Sequence, residues 1–198
     1  MPSWLNPLLG VAALRTTIIL AVLSTSAPAT AQDAVWTDPT QRFTLAFEPL
    51  GWRPREDPPR NERVYFAIYS ATAFERGKFL TCNLERLGPL PLTAQTPQAT
   101  VNAGTTRFQV ENLLRVAPGA LNPSVSHTFI GDVAVSDLMW WRSFDGETIY
   151  SHWRTFFLAS AEGAVQHQLQ CAAVEPVSPA DRAEIASLLS TLTFLPNP

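Results

Sequence analysis

The chain has 198 residues, 14 basic against 17 acidic side chains, a formal net charge of −3 and a 46% hydrophobic composition. Charges of both signs are spread without long blocks, which excludes a general nucleic-acid binder. The length suits one domain with a proper core and is too short to expect two.

The first 31 residues read as an export signal. Arg15 is their only charge, Thr16 to Leu23 (TTIILAVL) is a short apolar run, and small residues follow to Ala31. That order is what the export machinery and its peptidase recognise. Ala29-Thr30-Ala31 fits the cleavage site, so the mature chain is expected to start near Gln32. A spanning helix needs about 20 consecutive apolar residues, more than this run offers, so no membrane span is expected after cleavage. No Cys lies near the cut to accept a lipid. Residues 32–198 then form a single domain with thirteen basic and seventeen acidic residues, a net charge of −4. Lys78 is the sole lysine, which reflects coding bias more than chemistry.

Phe43-Thr-Leu-Ala-Phe47 alternates with the two-residue period of a half-buried strand. Five breakers between Pro49 and Pro59, interleaved with Arg53, Arg55, Glu56, Asp57, Arg60 and Glu62, read as an exposed loop. Val64–Ser70 and Phe79–Leu84 are rich in β-branched and aromatic residues and are expected strands, with Gly77-Lys78 near their connection. Residues Gln98 to Arg115 carry apolar positions at helical spacing, with Thr96 as cap and Pro97 at the first position. Gly131-Asp132, Asp145-Gly146 and Glu162-Gly163 then separate four meander strands, about 126–130, 133–144, 147–159 and 164–174. Ser178-Pro179 opens a last helix with Ile185, Leu188, Leu189 and Leu192 on one stripe.

This order, without βαβ alternation, predicts an α+β domain: a largely antiparallel sheet with a long C-terminal meander, flanked by helices. The Phe43-x-x-x-Phe47-x-Pro49-x-Gly51-Trp52 start, the helix near 98–115, the Gly131 hairpin and the closing Ile185 to Phe194 segment resemble the PsbP/Mog1/DcrB-like group. The resemblance implies an antiparallel sheet between helices in a layered sandwich. Members of that group range from photosystem accessory subunits to a Ran-binding protein and bacterial envelope proteins, so no function or catalytic residue carries over.

Cys82 and Cys171 each fall on the apolar side of a strand, and in an exported domain two cysteines suggest a disulfide. Two separate buried thiols are the alternative. His127, His152 and His167 lack the spacing that puts two metal ligands on one helix face, so no metal and no cofactor is expected. Gly-x-Ser-x-Gly and glycine-rich phosphate loops are absent. Asp132, Asp137, Asp145 and Glu147 lie mostly at turns, where Asp stabilises the backbone.

An Asp145-Gly146 turn pairs Phe144 with Glu147 and so sets Trp140 opposite Ser151, Arg142 opposite Ile149 and Trp153 opposite Leu138. Trp140, Arg142, Trp153, Gln166, Gln168 and Gln170 then share one face. Aromatic walls with Arg and Gln donors suit a ligand groove, whereas ordinary packing would put the tryptophans under a helix and the glutamines in water.

The expected function is a non-catalytic periplasmic or secreted protein that binds an envelope protein or a small molecule, through this face or the Pro/Arg loop at 53–63. A hydrolase with a dispersed site and a structural accessory subunit without a pocket are the alternatives.

Overall fold

The computed structural model describes residues 35–56, 63–90, 97–105, 120–161 and 163–196. The export segment with its cleavage site, loop residues 57–62, Thr96 and helix positions 106–115 lie outside the described residues.

Asp145 and Gly146 both take positive φ (51° and 81°), the backbone of a tight hairpin turn that only Gly and short polar residues enter readily. That turn fixes the pairing of β7 (Val133–Phe144) with β8 (Glu147–Ser160) at Phe144↔Glu147, the register the sequence predicts. The same logic links β6 (Leu121–Ile130) to β7 at Gly131-Asp132, and β8 to β9 (Gly163–Val174) at Ser160↔Gly163. With β3 (Trp52–Pro54), β4 (Val64–Ser70) and β5 (Leu80–Leu90) these strands form one antiparallel sheet, ordered β3-β4-β5-β9-β8-β7-β6. A second sheet holds β1 (Val35–Thr37), β2 (Phe43–Ala46) and β10 (Thr193–Phe194).

Helix α1 (Ala71–Glu75) follows β4, residues 98–105 are helical (α2), and α3 spans Pro179–Ser190. Ser178 and Asp181 cap α3 reciprocally: each side chain bonds the other's backbone N–H. Ile185, Leu188, Leu189 and Leu192 are all buried, as their spacing predicts.

One face of the large sheet carries Val135, Phe156, Leu158, Leu169, Cys171, Cys82 and Leu84. Phe43 and Leu45 of β2, Phe47 just after it and the α3 stripe close over it in one core. Phe43 meets Phe156 edge-on at 5.0 Å. Burying such apolar area is the main force holding the layers together. The fold is therefore the α+β layered arrangement with a C-terminal meander. Four short elements, β1, β3, α1 and β10, add to the sequence reading. Strand β5 runs on past Leu84, and β6 starts before residue 126. The segment at 52–54, expected as loop, pairs with β4 at Trp52↔Ser70.

Candidate functional site

Cys82 and Cys171 stand directly opposite on β5 and β9, 4.1 Å apart at Cα, and are joined as a disulfide. The bridge lies inside the core, where it staples the two central strands.

The candidate ligand face assembles as the register requires: Trp153 lies opposite Gln170, Thr155 opposite Gln168 and Phe157 opposite Gln166. Its burial is not that of a groove. Trp140, Gln166 and Gln168 are only 3–4% exposed; Trp153 and Gln170 are half-buried, and Arg142 is exposed. The Trp140 and Trp153 rings meet edge to face at 4.6 Å instead of flanking an opening. The glutamines are not in water either. Gln168 donates to Thr155 Oγ1 at 3.0 Å, and Gln170 donates to Gln168 Oε1 at 2.9 Å and to Glu85 at 3.1 Å. Burial in this layer pushes the Glu85 carboxyl up. The expected open wall is thus a largely buried layer in which Thr155, Gln168, Gln170 and Glu85 bond one another, while the Gln166 amide nitrogen is buried without a partner among the described residues.

Two polar clusters invite catalytic readings. His127 Nδ1 lies 2.8 Å from Ser136 Oγ across β6 and β7, but Ser136 is 1% exposed and its hydroxyl is closed to a substrate carbonyl. On the opposite face, Arg154 makes a bidentate pair with Asp137 at 2.9 and 2.8 Å, and His152 Nε2 bonds the same carboxylate at 3.1 Å. Burial raises the Asp137 pKa, but the hydrogen bonds from His152 and Arg154 outweigh it and hold the carboxyl below its usual range. The remaining Arg154 nitrogen caps the Leu189 carbonyl in the last turn of α3. This cluster anchors the helix to the sheet. Among the described residues no three His, Cys, Asp or Glu side chains are grouped to hold a metal ion, and no helix is long and apolar enough to cross a membrane.

The exposed chemistry lies elsewhere, at the β3–β4 edge. Ser70 ends β4 and caps α1 by accepting from Ala73 N at 2.9 Å, and Gly77 turns the chain back at φ 71°. This short helix and turn lift Phe74 and Phe79 into solvent, 57% and 61% exposed. Their rings meet at 6.0 Å, and Tyr69 meets Phe74 at 5.9 Å. Around them opens a cleft of about 390 Å³, with Pro54, Arg55, Glu56 and Lys78 among its walls. Its frame is rigid. Lys78 donates to Asp181 at 2.8 Å and to the Pro176 carbonyl at 2.7 Å, and Arg76 spans Asp181 and Glu184 at 3.1 and 3.3 Å. Burial opposes ionisation of Asp181, yet Lys78 and the Ser178 cap hold its pKa far below the usual carboxylate range. Sequence reasoning reached only the loop side of this cleft, through Arg55 and Glu56. The missed signal was a pair of phenylalanines flanking Gly77 in an otherwise polar connection. A larger cavity of about 650 Å³ at the far hairpin ends has Arg42, Gln98, Asp132 and Ser160 in its walls and a single aromatic ring, Phe194.

No protein-family model and no curated protein sequence matches the chain. Solved structures do. LpqN of Mycobacterium tuberculosis, described as involved in cell envelope biogenesis, is 20% identical with a TM-score of 0.55, over 80% of this chain and 87% of LpqN. The cyanobacterial PsbP of Synechocystis sp. PCC 6803 is 10% identical with a TM-score of 0.52, over 86% of this chain and 98% of that one. These likenesses place the chain in the PsbP-like fold.

Proposed function

We propose that the protein is exported and acts without catalysis in the cell envelope, holding a small, partly apolar ligand in the Tyr69–Phe74–Phe79 cleft. The observation that carries this reading is the pair of exposed phenylalanines on a rigid frame around a concave space. Soluble proteins rarely leave neighbouring large apolar side chains in water without a use for them. A volume of about 390 Å³ lies in the range of small-molecule sites. Three rings offer flat contact area for a ligand with a planar apolar part. Export is supported by the charged, apolar and small-residue order of residues 1–31 and by the disulfide, which persists in oxidising compartments. The envelope role described for LpqN agrees with that compartment.

The probe is 1-anilinonaphthalene-8-sulfonate, a flat aromatic anion, titrated into the folded mature protein at neutral pH. Saturable fluorescence enhancement is expected from the unaltered protein, with at least a tenfold loss of affinity in Phe79→Ser, about 1.4 kcal/mol. Equal binding by both proteins, or none by the unaltered one, contradicts the reading.

A further inference from the structure

At the other end of the large sheet, β6 is the terminal strand among the described residues. Nearly all its side chains are exposed, on both faces, and Phe129 is 66% exposed. Its ten residues, Leu-Asn-Pro-Ser-Val-Ser-His-Thr-Phe-Ile, include no Asp, Glu, Lys or Arg. A long edge strand presents a row of unpaired N–H and C=O groups, and proteins usually blunt such edges with charge, proline or brevity. The opposite edge follows that rule: β3 has three residues and ends on Pro54. The outer edge of β6 does so only at its start, where Asn122 takes φ 51°, Pro123 lacks an N–H, and the ladder to β7 is interrupted between Leu121 and Ser124. From Ser124↔Met139 to Ile130↔Val133 the register is regular, leaving a seven-residue stretch, Ser124–Ile130, for further pairing.

The pattern of that stretch selects its partner. In an antiparallel pair, directly opposed residues turn their amides the same way, and along one strand the direction alternates. When a strand pairs with its own copy, opposed positions must therefore have numbers of the same parity, so the two-fold axis passes through a residue. The centre of Ser124–Ile130 is His127. An axis there sets Val125 against Phe129, Ser126 against Thr128 and Ser124 against Ile130, each twice. Val125 and Phe129 lie on one face, since they oppose Leu138 and Ala134 of β7. Aromatic against β-branched and hydroxyl against hydroxyl are favourable cross-strand pairs; His127 meets its own copy at the axis, and no Asp, Glu, Lys or Arg is opposed.

We propose that the edge Ser124–Ile130 binds a second copy of this chain, antiparallel about His127, joining the two seven-stranded sheets into one. The interface is isologous and closed, so it yields dimers and not filaments. The aromatic cleft at the opposite edge stays open in both copies.

Sedimentation equilibrium on the mature protein tests this, with two double variants at exposed edge positions. Ser126→Lys with Thr128→Lys opposes the introduced lysines across the axis, whereas Ser126→Lys with Thr128→Glu opposes lysine to glutamate. The unaltered protein and the lysine–glutamate variant should dimerise. The lysine–lysine variant should dissociate at least about tenfold more readily, with a melting temperature equal to that of the unaltered protein when both are diluted to monomers. A monomeric unaltered protein at every concentration overturns the proposal and leaves the edge to an extended segment of a different protein. So does a lysine–lysine variant that dimerises as well as the unaltered one.

Discussion

His167 shows how a single residue couples this core to pH. Its ring is sandwiched between Phe156, at 5.2 Å and nearly parallel, and Tyr65, at 6.2 Å, with Phe43 edge-on at 5.0 Å. Burial lowers its pKa to about 4, with Asp38 opposing the shift and Arg86 and Arg42 adding to it. The unfolded chain binds the proton near pH 6.5, so between pH 6.5 and about 4 it holds more protons than the fold, and stability falls as pH falls through that window. The loss is on the order of 3 kcal/mol and is complete below the folded pKa. Urea unfolding at pH 7 and pH 4.5 should show a large decrease for the unaltered protein and a much smaller one for His167→Phe. Equal decreases would assign the acid sensitivity to other groups. In sequence His167 stands out only for lacking a metal-ligand spacing, but its aromatic stack joins β4, β8, β9 and the small sheet, and no local pattern encodes it. Nor could alternation alone say which face of the sheet is covered. The six residues from Trp140 to Gln170 share one face by their register, yet Gln166 and Gln168 are buried there, Gln168 bonded to Thr155 across the strands and to Gln170 along its own.

At the level of elements, legibility followed the strength of local chemistry. The Asp145-Gly146 turn fixed ten cross-strand pairs in advance, and the Ser178 cap fixed the start of α3. Helix α1 escaped because five residues are too few to show a helical period, and β3 because it is three residues long and ends on proline. The proposed ligand cleft depends on these two weak elements, which is why the sequence did not display it. The disulfide between β5 and β9 was readable from strand faces, and it closes a separation of 89 residues. Chain-entropy arguments give such a loop up to about 4–5 kcal/mol of stabilisation. Paired unfolding curves with and without reductant should show a large drop in midpoint for the unaltered protein and none for Cys82→Ala with Cys171→Ala. Coincident curves for the unaltered protein would mean the bridge constrains little.

For the whole molecule, the PsbP-like fold is the frame on which the proposed export and the proposed ligand cleft stand. The fold class was legible because strand, helix and meander order survives errors of a few residues at each boundary. The site was not, because concavity arises from β3, β4, α1 and the start of β5 meeting in space. Native mass spectrometry of the protein released from the envelope fraction of its host tests the joint claim most directly. The account predicts a mature chain beginning near Gln32, carrying a small-molecule adduct that is lost in Phe74→Ser with Phe79→Ser. A full-length chain from the cytoplasm, or an adduct that survives both substitutions, would contradict it.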